Sequence, residues 1–210
     1  TVKKTPLEQF SRPRPSGLIA LELEEGNTLV GVAITSGTSD VLLVSSSGKA
    51  VRFKESDVRA MGRTARGVRG VRLSGEQRVI SLIIPEADGS VLTASENGYG
   101  KRTEITGFPV KGRGGVGVIA MQTSDRNGAL VGAAQVFSGD EVMLISNMGT
   151  LVRTAADEIS VLGRNTQGVR LINLKSGEQL NSVERIAEQV VEEARVSESD
   201  EQGDSDTSDA

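Results

Sequence analysis

The chain lacks the residues on which most active sites and metal centres depend. Its 210 residues include no cysteine and no histidine, which excludes disulfides, thiolate metal sites and the most common general base. It has no tryptophan and only one tyrosine, so aliphatic side chains must fill the core. No apolar run approaches the ~18 residues of a membrane-spanning helix, and no signal peptide is evident. These absences predict a soluble, cytosolic protein.

Charge is unevenly distributed along the chain, although its net value is only −4. Residues 187–210 hold nine acidic residues and one arginine, so residues 1–186 retain 19 acidic and 23 basic side chains. A basic body joined to an acidic tail suggests a nucleic-acid partner. The tail is predicted to be disordered because it lacks apolar periodicity. It is either a solubilising end or an electrostatic mimic of DNA that competes for the basic surface.

A repeated unit runs through the chain. Its most regular markers are a glycine and, four residues later, an arginine: Gly48 and Arg52, Gly98 and Arg102, Gly149 and Arg153. The intervals are 50 and 51 residues, a period typical of propellers and arrays. Each unit contains an apolar strand, a glycine turn, a strand that alternates apolar and basic residues, a Gly-Arg-rich connection and two further strand patterns.

This pattern predicts an all-β fold, a propeller-like array of four-stranded blades. The predicted domain covers residues 1–186, with an incomplete blade at 1–35 and repeats at 41–85, 90–136 and 141–186, followed by the tail at 187–210. Residues 29–34 and 71–73 are predicted strands, and residues 55–58 and 156–159 are predicted short helical turns. The first unit lacks its opening strand, which suggests a fragment whose open arc leaves unpaired strand edges.

The basic residues of the connections and strands are the candidate binding site. Arginine and lysine can hold phosphates, and glycine lets the backbone approach a polyanion; alternatively, the connections are flexible loops made soluble by charge. The strand cations are expected to share one outward face. The candidate DNA-contacting residues are Lys4, Arg52, Lys54, Arg59, Arg63, Arg66, Arg69, Lys101, Arg102, Lys111, Arg113, Arg153, Arg164 and Arg170.

No stretch of the sequence assembles a credible catalytic or metal site. Gly112, Gly114 and Gly117 match the spacing of a dinucleotide-binding motif, but a predicted strand follows where that motif needs a helix. The single tyrosine, Tyr99, lies in a predicted hairpin turn and is interpreted as turn packing. A phosphate-binding surface on repeated blades is therefore the favoured interpretation.

Four segments resemble the C-terminal domain of the A subunit of DNA gyrase, a bacterial type II topoisomerase. They are residues 48–62 (GKAVRFKESDVRAMG), 97–103 (NGYGKRT), 149–154 (GTLVRT) and 163–169 (GRNTQGV). The resemblance extends over residues 1–186 almost continuously. It implies a β-pinwheel with strands exchanged between neighbouring blades, and double-stranded DNA wrapped without sequence specificity on its basic rim.

The resemblance also implies partners that lie outside this chain. In the family, wrapping supports ATP-dependent negative supercoiling by a heterotetramer of two A and two B subunits. ATP and Mg²⁺ are used elsewhere in that enzyme, so no cofactor and no catalytic residue is expected in this fragment. The implied location is the bacterial cytoplasm, associated with the nucleoid.

One feature of the family is missing. The Gln-Arg-Arg-Gly-Gly-Arg/Lys-Gly box of an earlier blade does not occur in this chain, so we expect DNA-binding surface but deficient wrapping. The alternatives are the C-terminal domain of the C subunit of topoisomerase IV, which shares the fold, and a protein-binding propeller of the kelch or WD type. The latter normally depends on tryptophan, which is absent here.

Overall fold

The computed structural model describes residues 1–187, which form three antiparallel sheets and four short 3-10 turns. The strands are β1 Asp40–Ser45, β2 Lys49–Lys54, β3 Val79–Ile83, β4 Ser90–Ser95, β5 Tyr99–Glu104, β6 Val118–Ile119, β7 Leu130–Val136, β8 Glu141–Ser146, β9 Leu151–Ala155, β10 Val169–Arg170 and β11 Leu180–Ile186. The turns are η1 Leu7–Phe10, η2 Glu55–Asp57, η3 Ile105–Gly107 and η4 Ala156–Glu158. No helix in this part of the chain could cross a membrane.

Each sheet is built on the strands of one repeat, and the first two sheets add a short strand from the next repeat. The strand orders are β3-β1-β2-β6, β7-β4-β5-β10 and β11-β8-β9. A two-strand hairpin forms the centre of each sheet, and its turn contains Gly48, Gly98 or Gly149 at φ 76°, 80° and 84°. Residues other than glycine rarely adopt this left-handed conformation, so the regular glycine spacing marks the hairpins.

Two of the three core clusters join neighbouring repeats, whereas the third, around Phe53, takes its buried residues from the second repeat alone. One cluster joins Leu42 and Val44 of β1 to Phe108 and Met121 of the following repeat. A second cluster joins Leu92 of β4 to apolar residues of β8 and β11. Contacts between repeats therefore stabilise the array together with those inside the second repeat.

Strand exchange brings the connection of each repeat back to the preceding repeat. Val68, Val118 and Val169 pair antiparallel with Val2, Ala50 and Gly100. Three glycines of the connections, Gly67, Gly117 and Gly168, make this approach possible. An added Cβ would lie 2.5, 2.4 and 2.6 Å from the carbonyl oxygens of those same three partners. These glycines therefore serve the contact between repeats, whereas the sequence interpretation had assigned connection glycines to a polyanion.

Two predicted strands are absent from the described structure. Residues 29–34 form no ladder, and Val32 and Ile34 are exposed. No opening strand of the first repeat is present among residues 1–187 to pair with them. Residues 71–73 also form no strand, because the chain there bonds to the next connection, with Arg72 N donating to Gly115 O at 2.8 Å. The helical turns predicted near residues 55 and 156 are confirmed as η2 and η4.

Within the described residues, β9 has an unpaired edge. Leu151 corresponds in register to Ala50 and Gly100, which receive β6 and β10, but no segment of the described chain pairs with it and it is exposed. This confirms the expectation of an unpaired strand edge. The tail predicted at 187–210 lies outside the described residues except for its first residue, and the predicted repeat bounds stay a prediction.

Candidate nucleic-acid interface

Three of the candidate cations clamp one repeat to the next. Lys4, Arg52 and Arg102 hold equivalent strand positions and form parallel bridges with Ala60, Val110 and Val161. Nη1 of Arg52 donates to the carbonyl of Ile105 at 3.0 Å, on the turn η3 of the following repeat, and to that of Phe108 at 3.2 Å, directly after the turn. The same guanidinium pairs with Asp40 at 2.8 Å, and its side chain is only 18% exposed.

Arg102 and Lys4 make the corresponding contacts at their own joints, where a joint is the contact between one repeat and the next. Nε of Arg102 donates to the carbonyl of Ile159 at 2.9 Å, and Nη1 donates to Asp157 at 3.0 Å. This bond and bonds from Gly139 and Ser138 lower the pKa of the Asp157 carboxyl, with the Gly139 amide the largest cause. Lys4 donates to the carbonyl of Glu55 at 3.2 Å. The side chains of these three cations are half-buried as well as bonded to protein acceptors, so they lie outside the proposed interface.

Arg153 shows what the clamp position looks like without a following repeat. It corresponds to Arg52 and Arg102 in strand register. No further repeat is present among residues 1–187, so its side chain is 60% exposed and pairs with Glu141 on the neighbouring strand. Its part in DNA binding stays a separate prediction.

We expect Arg52→Gln to lower the free energy of unfolding by about 2–3 kcal/mol, because it breaks a half-buried ion pair and leaves two carbonyls without their donor. The melting temperature should fall by about 5–10 °C for a chain of this size. Arg153→Gln is the matched control. Arg153 has the same strand register as Arg52 but contacts no following repeat among residues 1–187. Thermal unfolding by circular dichroism measures both; equal losses in the two variants would contradict the clamp.

Lys101 is buried and does not share an outward face with the other strand cations. Its side chain is 0% exposed, and Nζ donates to the carbonyls of Gly163 at 2.6 Å, Arg164 at 2.5 Å and Thr166 at 3.3 Å, and to the Thr166 hydroxyl at 3.0 Å. Burial and the nearby charge of Arg164 lower the pKa of Lys101 to about 8. The expectation of one common face was therefore wrong for this residue. Its ammonium group instead holds the Gly-Arg connection at residues 163–170.

Lys3 holds the equivalent position at the first joint and was missed by the sequence analysis. Its ammonium group donates to the carbonyls of Ala20, at 2.8 Å, and Arg63. Burial, followed by the charge of Arg63, lowers the pKa of this amine. The signal that could have identified it is its register: Val2 and Gly100 occupy the same bridging position, so Lys3 corresponds to Lys101.

The remaining cations lie mostly on a row of connections that we call the connection ridge, residues 12–18, 59–72, 111–117 and 163–170. Backbone hydrogen bonds join its second and third members, with Gly114 N donating to Gly70 O at 2.6 Å. Arg113 donates to the carbonyls of Asp57 at 2.9 Å and Arg69 at 3.0 Å. Arg164 donates to the carbonyl of Ile119 at 2.7 Å. The second and third connections are thus packed against each other rather than independent loops.

The ridge carries exposed positive charge, part of which is already compensated. Its candidate residues are Arg59, Arg63, Arg66, Arg69, Lys111, Arg113, Arg164 and Arg170, of which Arg63 and Arg164 are half-buried. The side chain of Arg66 lies 3.7 Å from Glu22 and 3.5 Å from Glu24. Lys54, beside the ridge, pairs with Asp40 at 3.2 Å. Arg12, Arg14 and Arg72 are further exposed arginines of the ridge.

The second and third connections of the ridge carry positive charge that no carboxylate in the described part of the chain compensates. Arg59, Arg69, Lys111 and Arg113 are exposed and form no ion pair with any carboxylate of residues 1–187. Closely spaced cations raise the local potential and attract a polyanion. The described residues also contain no group of three or more potential metal ligands.

Known proteins share both the sequence and the fold. A family model described as "DNA gyrase C-terminal domain, beta-propeller" matches residues 1–36, 39–86, 89–136 and 140–187. The A subunit of DNA gyrase from Pseudomonas aeruginosa is 63% identical over 188 residues, which cover 90% of this chain and 20% of that protein. The corresponding Escherichia coli protein is 52% identical over 193 residues, which cover 92% of this chain and 22% of that protein. The chain spans about a fifth of the length of these curated relatives.

Solved structures agree with this assignment. A crystal structure of the C-terminal domain of DNA topoisomerase IV superposes with a TM-score of 0.81 at 25% identity, over 88% of this chain and 58% of that one. A structure of the DNA gyrase A C-terminal domain gives 0.74 at 27% identity, over 82% and 59%. The predicted all-β pinwheel fold and the resemblance are confirmed: the chain belongs to the family of DNA gyrase C-terminal domains.

Proposed function

We propose that residues 1–187 bind duplex DNA along the connection ridge and bend it, as the wrapping domain of a gyrase A subunit. The observation that carries this proposal is the set of exposed cations on the second and third connections that have no carboxylate partner within residues 1–187: Arg59, Arg69, Lys111 and Arg113. Phosphate contacts of this kind release counterions from DNA and carry little sequence information. Binding is therefore expected to be largely independent of sequence.

Wrapping by this domain would support ATP-dependent negative supercoiling by the whole enzyme. The proposed partners are the rest of the gyrase A subunit and the gyrase B subunit, in a heterotetramer of two A and two B subunits. ATP, Mg²⁺ and the catalytic residues belong to those other parts, and the proposed location is the bacterial cytoplasm, associated with the nucleoid. The names of the relatives, each the A subunit of a DNA gyrase, support this assignment.

The C subunit of topoisomerase IV is the second candidate, because the C-terminal domain of topoisomerase IV superposes with the higher TM-score, 0.81 against 0.74. The sequence comparison favours gyrase, since identity to gyrase A subunits reaches 63% over most of the chain. A protein-binding propeller is disfavoured by the absence of tryptophan and by the concentration of positive charge on the ridge.

DNA bending by the full 210-residue chain tests the proposed function. Two unrelated duplexes, each labelled with a donor and an acceptor fluorophore at opposite ends, should show increased energy transfer as protein is added, because bending brings the ends closer. The free-energy cost of bending is offset by the additional phosphate contacts that it permits. Similar curves for both duplexes are expected. Binding without a change in transfer would contradict bending, and absence of binding at low salt would contradict the proposed function as a whole.

A further inference from the structure

Two arginines converge on the single tyrosine of the chain, and neither is one of the four cations that carry the proposed function. Tyr99 begins β5 and is 7% exposed. The guanidinium carbon of Arg126 lies 4.9 Å from the centroid of its ring, and that of Arg170 lies 5.4 Å away. Nη2 of Arg170 donates a hydrogen bond to the phenolic oxygen at 2.9 Å. Hydrogen bonds from Arg126 first and Arg170 second lower the pKa of the phenol.

The two guanidinium groups carry charge that no carboxylate in residues 1–187 neutralises by an ion pair. Arg170 has one further acceptor, the neutral amide oxygen of Asn173 at 3.4 Å. Both arginines are exposed to solvent. Two like charges held against one neutral ring repel each other, so an anion placed between them would gain from both. Guanidinium groups donate to phosphate oxygens in the same forked manner.

The surrounding backbone fixes both arginines before any ligand binds. Arg170 lies on β10, directly opposite Tyr99 in the ladder. The turn that carries Arg126 is held by Asn127, which is fully buried, donates to the carbonyl of Gln122 at 2.7 Å and accepts from the amide of Ser124 at 2.8 Å. Asn97 donates to the carbonyl of Arg126 at 3.2 Å. A ligand would therefore meet a preorganised pair of charges.

The Tyr99–Arg170 pair has counterparts at the other two joints. Lys49 lies opposite Ile119 at the second joint, and the antiparallel bridge between Val2 and Val68 places Thr1 opposite Arg69 at the first. Each of the three joints thus presents one cation at this cross-strand position, supplied by Arg69, Lys49 or Arg170 in turn. A charge repeated once per joint suits a long polyanion better than an isolated small ion.

We propose that Arg126 and Arg170, held against the ring of Tyr99, bind one phosphodiester group of duplex DNA at the joint between the third and fourth repeats. This site rests on the proposed function and extends its surface beyond the ridge to Arg126. Tyr99 acts as the support that spaces the two guanidinium groups. The sequence analysis missed Arg126 because it lies outside the Gly-Arg connections, and it interpreted Tyr99 as turn packing alone.

Duplex affinity of the full chain tests the site through Arg126→Gln, with Arg78→Gln as matched control. Arg78 is an exposed arginine without an ion pair, located in the turn before β3 as Arg126 is located in the turn before β7. Loss of one phosphate contact is expected to weaken binding by about 3–10-fold near 0.1 M salt and to reduce the log–log salt slope by about 1. The control variant should match the unmodified chain.

Tyr99→Phe provides a second variant that keeps the ring and removes the phenolic oxygen. It should weaken DNA binding less than Arg126→Gln, since the ring still supports both guanidinium groups. Inorganic phosphate, added at an ionic strength matched with chloride, should compete no better than chloride. Competition by phosphate alone would overturn the assignment to a phosphodiester in favour of a small-anion site.

The failures of the site and of the proposed function are distinguishable. If the unmodified chain binds duplex DNA and Arg126→Gln binds equally well, the proposed phosphate site at Arg126 is wrong. DNA binding by the connection ridge is then not contradicted. If the unmodified chain shows no binding at low salt, the proposed function fails and the site fails with it. Thermal unfolding of each variant confirms that a loss of affinity does not come from a loss of fold.

Discussion

Lys101→Met should be the most destabilising single substitution that we predict. The variant keeps the length of the side chain but removes the ammonium group that four oxygen atoms of the fourth connection accept from. Leaving buried or half-buried acceptors without a donor is expected to lower the free energy of unfolding by about 2–4 kcal/mol. The melting temperature should fall by about 5–15 °C. Lys54→Met is the control, because that side chain is 59% exposed.

The pH dependence of stability provides a second test of the buried Lys101 amine. Its pKa is about 8 in the folded chain, against an ordinary value of 10.5. Between these values the unfolded chain binds more protons than the folded chain, so stability should rise with pH above about 8. The lowered pKa values of Lys3 and Tyr99 act in the same direction. The rise should therefore be smaller in Lys101→Met, and an equal rise in both proteins would contradict a buried, charged amine.

Reversing two charges of the connection ridge should have the largest effect on DNA binding. Arg69→Glu combined with Lys111→Glu removes two proposed phosphate contacts and places two negative charges beside the DNA. We expect affinity near 0.1 M salt to fall by about 100-fold or more. Both side chains are exposed and form no side-chain hydrogen bond or ion pair within residues 1–187, so the fold should persist. Arg66 is less suitable, because Glu22 and Glu24 already compensate it.

The matched control for this double variant is Arg78→Glu combined with Lys175→Glu. It changes the net charge of the chain by the same amount, from −4 to −8, but both residues are exposed outside the ridge. If the ridge contacts DNA specifically, the loss of DNA affinity should be much larger in the ridge variant than in this control. Equal losses of affinity would mean that only the overall charge matters, and would contradict specific DNA contacts by the ridge.

The hairpins and their repetition could be predicted from the sequence because their signals are local. Glycines at positive φ, such as Gly48 and Gly98, and alternating apolar residues specify each two-strand unit without reference to the rest of the fold. The same holds for the turns η2 and η4. Residues 29–34 show the limit of this reasoning, since an apolar pattern predicts a strand but a ladder also needs a partner.

The roles of the cations could not be predicted, because strand exchange brings together residues far apart in sequence. Arg52 reaches carbonyls 53 and 56 residues later, and Lys101 reaches oxygens 62 to 65 residues later. From the sequence alone these residues and the exposed Lys111 are equally basic side chains near glycine turns. Only the partner segment decides whether such a charge clamps a joint or faces solvent.

The salt dependence of duplex affinity is the sharpest test of DNA binding by the connection ridge. With about five to eight ridge cations in contact with phosphates, log affinity of the full chain should fall against log salt concentration with a slope of about −5 to −7. The Arg69→Glu, Lys111→Glu variant should give a slope shallower by about 2. A slope near zero, or the same slope in both proteins, would contradict a ridge that binds DNA through its phosphates.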